Sequence, residues 1–502
     1  MPISKKLLLS VILIVFSLSH LVFSQVTMFS FSNGMKYIMV QDVEGPKSGE
    51  QYFAMEYVSD CLLDGSENYY SVSMEEPHGT DSDCFGLKIS GENAARDTVK
   101  RVRFYHCKTG VYLRGWGGGG IFDDCSFIEN RTWAMRTGHA GSKNFVVSNC
   151  TFRDNKDGFA LKAADSIWVH HNEFYRDTLT ALFLAGHADY GKSLHNVIEY
   201  NRMTNHGRYG IEVANRADSN YIRYNKFIND KIKIYNQSNS NLFLGNHISD
   251  CDTAITIDDC VGNVFESDTI VDSDFHLVLK NNSDAIFVGT IFDSAKVRLE
   301  DNESQLTVKW FLDLQFVDEN NNPLGDVEIK IFNSNDNLVI TDTTNVDGQI
   351  DTQALTSYIK EKNLLISFSP FRIETDIPGY DPAIVDLNEN KAIKITPSGV
   401  VGIDKKKFLP LKFTLSQNYP NPFNPLTRIS YELPGRLPVS LKIYDINGRL
   451  VRIIVNEQQS AGEKIAQWDG KDQLGRIVTS GIYFYKLEAG PFKHIKRMVL
   501  LK

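Results

Sequence analysis

The chain of 502 residues lacks the cysteine spacing on which sulfur-bound metal centres are built. Its seven cysteines include no Cys-x-x-Cys pair, which excludes a zinc or redox centre of that kind. It also lacks a long basic stripe with interleaved aromatic residues. Its 53 Lys and Arg against 62 Asp and Glu give a net charge of −9, and this balance argues against general nucleic-acid binding.

The first residues predict export. Two lysines in Met1–Lys6 precede an apolar stretch from Leu7 to Phe23, and no stop-transfer cluster of charges follows it. This pattern predicts a signal peptide over residues 1–24, cleaved near Ser24, rather than a stable membrane span. We therefore expect a protein that crosses the periplasm and is secreted or held on the outer cell surface.

A repeat of about 22 residues is the strongest pattern in the chain. Each unit ends on an Asn, a Cys or another polar residue, and a large apolar residue follows two places later. The period is too short for a helix pair, and brief alternating runs such as 210–214 lie between the anchors, so each unit is one coil of a β-solenoid. The anchors are Cys125, Cys150, Asn172, Asn201, Asn225, Asn246, Asp268 and Thr290.

Parallel stacking places equivalent residues of successive coils over one another, about 4.8 Å apart. The Asn anchors therefore predict an inward polar ladder, and Cys107, Cys125 and Cys150 predict a thiol version of it. Seven is an odd number, so at least one cysteine is unpaired. With three cysteines assigned to the ladder, Cys61 with Cys84 or Cys251 with Cys260 is a candidate disulfide. The pattern resembles the right-handed parallel β-helix proteins of the pectate-lyase-like superfamily, whose members include lyases, hydrolases, epimerases and non-catalytic surface proteins.

Longer strands and new turns follow from Leu306 onward. Residues 306–398 resemble the Ig-like β-sandwich spacers of the carboxypeptidase-regulatory type. The Asn-Pro-Phe-Asn-Pro run at 421–425 and the Ser-Gly-Ile-Tyr-Phe-Tyr run at 480–485 resemble the type A C-terminal sorting domain of the type IX secretion system, which implies export through that machinery. We predict an all-β chain with these segments: signal peptide 1–24, N-terminal cap 25–60, right-handed parallel β-helix 61–305, Ig-like β-sandwich 306–398, linker 399–412 and β-sandwich sorting domain 413–502.

Candidate functional residues lie on the outward face of the β-helix. Alignment of the coil ends places Arg114, Arg136 and Lys162 in one column over three successive coils. Like charges about 5 Å apart repel by nearly 1 kcal/mol even in a water-like dielectric, so the column favours an anionic partner. Flat rings and further polar groups border this face and are predicted to bind sugar residues: Tyr112, His139, Phe183, His187, Arg208 and Glu212.

An acidic polysaccharide lyase fits this set of residues. Arg114 or Arg136 would neutralise the sugar carboxylate, and Lys162 would be the base, because neighbouring cations lower the pKa of a lysine. The run 157–162 is similar to strand-borne segments of β-helix lyase families that commonly use calcium. This similarity implies Asp154 and Asp157 as calcium ligands.

Two alternatives stay open at this point. The cations also suit a non-catalytic surface scaffold or adhesin, since solenoid faces carry Lys and Arg as soluble edges. A glycosidase needs two carboxylates about 5 to 10 Å apart, for which Glu212 with Asp258 or Asp259 is a candidate. The fragments Gly186-His187 and Asp258-Asp259 stand in the wrong order for a polygalacturonase, which counts against a pectin hydrolase.

Overall fold

The computed structural model is built almost entirely from β-strands. It describes residues 97–114, 120–138, 142–397, 399–402, 414–433, 437–446, 448–459, 462–489 and 492–501, together with the strands that lie between residues 26 and 90. The predicted signal peptide and residues 403–412 of the predicted linker lie outside these ranges. The chain divides into two compact units, one up to Thr307 with Ile359–Leu365, the other comprising Val308–Tyr358 and the residues from Ile366 onward.

The first unit is a parallel β-solenoid of about nine turns. Three strands per coil form three walls, here called sheets I, II and III. Sheet I has eleven strands: Phe53–Glu56, Phe85–Ser90, Thr109–Arg114, Trp133–Thr137, Asp157–Lys162, Thr180–Ala185, Tyr209–Ala214, Ile232–Tyr235, Thr253–Asp258, Phe275–Lys280 and Val297–Leu299.

Sheets II and III complete each coil. Sheet II consists of Val43–Glu44, Tyr70–Ser73, Val102–Tyr105, Ser126–Ile128, Thr151–Arg153, Glu173–Tyr175, Arg202–Thr204, Lys226–Ile228, His247–Ser249 and Thr269–Val271. In this unit sheet III consists of Lys36–Val40, Cys61–Asp64, Thr98–Lys100, Ile121–Asp123, Val146–Ser148, Trp168–His170, Val197–Glu199, Tyr221–Arg223, Leu242–Leu244, Asn263–Glu266 and Asp284–Val288. Val26–Ser30 pairs antiparallel with Lys36–Val40, which pairs in parallel with Cys61–Asp64. Solenoid pairing therefore begins within the segment predicted as a cap.

Three small elements lie beside these walls. Ser193–Leu194 pairs with Ala217–Asp218, and a single 3₁₀ turn spans Ser294–Lys296. Among the described residues there is no α-helix. Within the same residues no helix is long and apolar enough to cross a membrane.

The predicted Asn ladder is present at the corner between sheets III and II. The backbone N–H and the side-chain amide of Asn172 both donate to Oδ1 of Asn201, at 3.0 and 2.9 Å. The same two bonds join Asn201 to Asn225 and Asn225 to Asn246. Such bonds satisfy buried amides that would otherwise be costly. The apolar residues two places after each anchor also stack, with Phe127, Phe152 and Phe174 ring centroids 4.6 and 4.4 Å apart.

The cysteine predictions need two corrections. Cys107 does not stand under Cys125, because its backbone N–H donates to Asn130 Oδ1 in a second ladder, between sheets II and I. Cys251 and Cys260 are both free thiols and belong to different ladders, with Cys251 N–H donating to Ser273 and Cys260 N–H to Ser283. The Cys251–Cys260 disulfide is therefore wrong, and the Cys61–Cys84 pair lies outside the described side chains.

The second ladder contains charges where the first has amides. Asn130 and Asn155 lead to Asp177, His206 and Asp230 in successive coils. His206 Nδ1 lies 2.7 Å from Asp230 and Nε2 lies 3.5 Å from Asp177, and all three side chains are buried. Burial alone would lower the pKa of His206, but the two carboxylates outweigh it and raise that pKa to about 9.

The second unit contains β-sandwich sheets, as predicted. Residues after the solenoid form Gln305–Phe316, Glu328–Phe332, Leu338–Thr343, Gln353–Glu361, Leu365–Ser367, Phe371–Thr375, Ala383–Val385, Lys391–Thr396 and Gly399–Gly402. The last sheets are Thr414–Leu415, Thr427–Leu433 and Gly462–Trp468, and Leu437–Asp445, Leu450–Gln459, Gly481–Ala489 and Phe492–Leu500. The predicted fold class, an all-β chain with a β-helix followed by β-sandwich sheets, is confirmed.

Candidate functional site

The outward side chains of sheet I form columns that cross the coils. Strand pairing places Tyr112, Arg136, Ala160, Phe183 and Glu212 in one central column. Tyr112 and Phe183 therefore share an outward column, as predicted. Because successive coils are about 4.8 Å apart, side chains in this column contact those of the next coil.

The predicted column of three cations is wrong in register. Arg136 pairs with Tyr112 and Ala160, whereas Lys162 pairs with Ala185 and Arg114 pairs with Ser90 near the strand ends. The sequence alignment was shifted by two residues at this coil, because Thr137 occupies an inward position where neighbouring coils have leucine. Thr137 is 1% exposed.

Thr137 tolerates burial because its hydroxyl is bonded to the next coil. The backbone N–H of Lys162 donates to Thr137 Oγ1 at 2.7 Å, and that hydroxyl donates to the Lys162 carbonyl at 3.0 Å. A polar residue with both bonds satisfied can replace an apolar one in the core. The same bonds fix the backbone from which the Lys162 side chain projects.

The ammonium group of Lys162 lies against two aromatic rings. Its Nζ is 5.3 Å from the ring centroid of Trp133 and 5.8 Å from that of Phe183, and the two rings stack at 6.2 Å. Among the described residues the ammonium makes no hydrogen bond or ion pair. Burial, followed by the charge of Arg136, lowers the pKa of Lys162, while Asp157 acts in the opposite direction. The predicted direction of this shift is confirmed, although burial is its largest cause.

Arg136 forms a second cation–aromatic contact in the preceding coils. Its guanidinium carbon is 4.6 Å from the ring centroid of Tyr112. The hydroxyl and ring edge of Tyr112 also cover Gly138, where a Cβ atom would lie 2.6 Å from the Tyr112 oxygen. Tyr112 thus occupies the space beside Lys162 that a larger residue at 138 would fill. Arg136 and Lys162 lie close enough for their charges to interact.

Trp133 and Ala160 complete this group, and sequence reasoning missed both. Trp133 begins its strand half-exposed and pairs with Asp157. Ala160 stands between Arg136 and Phe183 in the central column, and its small side chain leaves room between them. The two residues lie in different columns, and no repeat in the stack marks either of them.

Glu212 and Arg208 lie in the same coil, two coils beyond Lys162, and were predicted to bind sugar. Glu212 is buried, and its carboxylate accepts hydrogen bonds from Thr180 at 3.1 Å and from Tyr235 at 2.8 Å. Arg208 is exposed and lies 5.2 Å from the ring centroid of Tyr209. The charge of Glu212 raises the pKa of Arg208.

The two predicted calcium ligands have different surroundings. Asp154 sits at an exposed corner and accepts two hydrogen bonds from Arg176, at 2.9 and 3.0 Å. Asp157 begins a strand of sheet I, where the Thr180 N–H donates to it at 3.3 Å. Burial raises the pKa of Asp157 to about 6. Among the described residues no group of three or more His, Cys, Asp or Glu side chains is placed to hold a metal ion.

The remaining predicted residues are only partly described. His187 lies in the turn after Ala185, with its ring centroid 4.9 Å from that of Tyr190. Arg114 ends a strand of sheet I, but its side chain lies outside the described part of the structure, as does the whole of His139. The structure therefore brings together Tyr112, Arg136, Lys162 and Phe183 from the predicted set.

Two family models match parts of the chain. Residues 87–243 match the family described as "Periplasmic copper-binding protein (NosD)", and residues 426–490 match the FlgD Ig-like domain. The described residues place no three-ligand group of the kind a copper centre needs, so we assign copper no role. No curated protein sequence matches the chain.

Solved structures resemble the solenoid at low identity. The DFA-IIIase of Arthrobacter chlorophenolicus A6 in complex with GF2 is 12% identical over 51% of this chain and 69% of its own, with a TM-score of 0.36. An alginate lyase from Paenibacillus sp. str. FPU-7 is 11% identical over 53% and 91%, with a TM-score of 0.38. The mannuronan C-5 epimerase A-module of Azotobacter vinelandii is 12% identical over 54% and 91%, with a TM-score of 0.35. These likenesses assign no residue a role in this chain.

Proposed function

We propose that the chain is an exported protein that binds an acidic polysaccharide on sheet I and cleaves it by β-elimination. One observation carries the proposal: the Lys162 ammonium, with its pKa lowered, lies beside Arg136 and between Trp133 and Phe183. Two cations held against aromatic rings suit a ligand that offers carboxylates and flat sugar faces. A half-buried lysine of lowered pKa suits a general base.

The proposed chemistry uses these residues in separate roles. Arg136, with Arg114, pairs with the carboxylate of the uronate and stabilises the negative charge that develops when the C5 proton leaves. Lys162, in its neutral form, accepts that proton. The electron pair of the C5–H bond forms the C4–C5 double bond, and the C4–O bond breaks with its electrons on the departing oxygen, which takes a proton from solvent. Tyr112, Phe183, His139 and His187 would contact neighbouring sugars.

The lyase proposal is tested by ultraviolet absorbance of the unsaturated uronate product. The full chain is incubated with pectate, alginate and glycosaminoglycans, with and without calcium, which is proposed at Asp154 and Asp157. We expect product from at least one polymer and at least a hundredfold slower formation in Lys162→Ala, the range general-base removal gives. Lys226→Ala, an exposed lysine of sheet II, is the matched control and should leave the rate unchanged.

Other outcomes separate binding from catalysis. If no polymer yields product but affinity electrophoresis shows retention that Arg136→Gln weakens, the protein binds acidic polysaccharide without cleaving it. If neither product nor retention is seen, the scaffold or adhesin alternative replaces the proposal. Product that persists undiminished in Lys162→Ala would remove Lys162 from the role of base.

We also propose that residues 413–502 direct export through the type IX secretion machinery. Residues just before the first run contact the second run, since the Asn418 N–H donates to the Tyr485 hydroxyl at 2.9 Å and that hydroxyl donates to the Ser416 carbonyl at 2.8 Å. A reporter fused to residues 413–502 should appear outside cells that possess the machinery and stay inside cells in which it is deleted. Equal export in both would contradict this assignment.

A further inference from the structure

A second cation–aromatic cluster lies further along sheet I. Lys233 Nζ is 4.6 Å from the ring centroid of Tyr235 and 5.8 Å from that of Tyr209. The guanidinium carbon of Arg208 lies 5.2 Å from the ring centroid of Tyr209, the next residue in the chain. The second cluster is defined as Arg208, Tyr209, Lys233 and Tyr235. Like the group around Lys162, it presents two cations against aromatic rings.

One ring of the second cluster, that of Tyr235, is held in place by a buried carboxylate. The Tyr235 hydroxyl donates to Glu212, which is 4% exposed and also accepts a bond from the Thr180 hydroxyl. Glu212 would thus position Tyr235 for a ligand without contacting the ligand itself. Within the described part of the chain the Lys233 ammonium makes no hydrogen bond or ion pair, so it can contact an anion without first breaking one.

Strand register fixes the spacing between the two clusters. The central column runs Arg136, Ala160, Phe183, Glu212, Lys233 in five successive coils. Four steps of about 4.8 Å separate Arg136 from Lys233, which is roughly 19 Å. The coil rise is close to the length of one pyranose residue in an extended chain. A chain extended along the solenoid axis would therefore place about one sugar residue over each coil.

We propose that the second cluster is a further binding position for the same acidic chain, which runs along the solenoid axis and must span both clusters for full affinity. This inference rests on the proposed function of sheet I. A chain that lay parallel to the strands would meet the residues of one coil and miss the second cluster. Only a ligand of about five sugar residues, crossing all five coils, contacts Arg136 and Lys233 together.

The spacing gives the ligand a length threshold. Once a chain is held at Arg136, its contact with Lys233 is intramolecular and adds affinity through a high effective concentration. Chains too short to reach Lys233 gain nothing from it. Affinity should therefore rise steeply up to about five residues and only slowly beyond that length.

The test is calorimetric titration of the full chain with size-defined uronate oligomers, from dimer to octamer, of the polymer it binds. In the Arg208→Gln, Lys233→Gln double variant we expect about a tenfold loss of affinity for oligomers of five residues or more, as losing roughly 1.4 kcal/mol would give. Dimers and trimers should bind the variant and the wild type equally. Lys226→Gln is the matched charge control. Both substituted residues lie on the surface face, so folding should be unaffected, and a urea transition checks this.

The outcomes separate this inference from the function on which it rests. Wild-type affinity that does not depend on length, or an equal loss at every length in the double variant, overturns the axial position while leaving acidic-polysaccharide binding intact. A double variant that binds octamers as well as wild type also overturns it. Failure of the wild type to bind any oligomer overturns the proposed function and this inference together.

Discussion

The inward corners of the solenoid and the outward face of sheet I follow different rules. At the corner of the Asn ladder, each residue must bond to its equivalent in the next coil, so Asn172, Asn201, Asn225 and Asn246 repeat. On the outward face Tyr112, Arg136, Ala160, Phe183 and Glu212 are stacked in register and no residue repeats. The fold specifies the corners, and it leaves the outward face available for function.

The largest loss of stability is expected when one member of the Asn ladder is removed. In Asn201→Leu the two Asn172 donors lose their acceptor and the Val169 carbonyl loses the side-chain amide that donates to it, while Asn225 Oδ1 keeps only the backbone N–H of residue 201. Buried groups left unpaired cost about 1 to 3 kcal/mol each, so we expect the free energy of unfolding of the solenoid to fall by about 4 kcal/mol or more. The measurement is urea denaturation of the full chain followed by circular dichroism.

An exposed corner provides the control for that substitution. Asn205 accepts a hydrogen bond from Asn229 on the surface, and Asn205→Asp keeps both the acceptor and a residue type that tolerates its left-handed backbone. Its unfolding midpoint should differ little from that of the wild type. Equal losses in the two variants would show that burial of the ladder is not what stabilises the coil.

The charged segment of the second ladder should make the free energy of unfolding depend on pH. His206 has its pKa raised from 6.5 to about 9 by Asp177 and Asp230, so its stabilisation is complete below pH 6.5 and is lost as pH rises through 9. The shift corresponds to about 3 kcal/mol at most. We expect the unfolding free energy of the wild type to fall over this window relative to that of His206→Gln.

The amide segment of the first ladder supplies the contrast for the pH experiment. Asn172 to Asn246 do not titrate, so Asn201→Leu should lower stability by the same amount at pH 6 and pH 9. The difference between the wild type and His206→Gln cancels the titration of groups that His206 does not contact, and leaves the effect of His206 with its partners Asp177 and Asp230. Parallel pH profiles for those two proteins would contradict a charged imidazole between the two carboxylates.

The same comparison explains how much of the fold and of the candidate site could be predicted from the sequence. The Asn ladder was predictable because a hydrogen bond between equivalent residues demands the same residue type every coil. The second ladder was missed because it changes from Asn to Asp, His and Cys while keeping its geometry. Thr137 stands at an inward position where neighbouring coils have leucine. The outward residue Arg136 was therefore aligned two positions out of register. Trp133 had no repeat to reveal it, since outward residues are not constrained by their neighbours in the stack.

A smaller effect is expected at Thr137, whose inward hydroxyl is bonded to the backbone of the outward residue Lys162. Thr137→Val keeps the shape but removes the hydroxyl that bonds to the Lys162 N–H and carbonyl. We expect a loss of about 1 to 2 kcal/mol in the free energy of unfolding. Because the backbone under Lys162 loses an anchor, product formation should also slow. Thr256→Val, on the outward central column, is the control and should change neither quantity appreciably.

The smallest effect on stability should come from the residue with the largest proposed effect on function. Lys162 makes no ion pair or hydrogen bond through its ammonium in the described part of the chain, and burial disfavours its charge. Lys162→Gln should therefore leave the free energy of unfolding within about 0.5 kcal/mol of the wild type, while removing the proposed base. Denaturation and product assays on the same preparation measure both. A large loss of stability would instead mean that Lys162 belongs to the architecture, as the Asn ladder does, and that its aromatic neighbours serve to hold the coil.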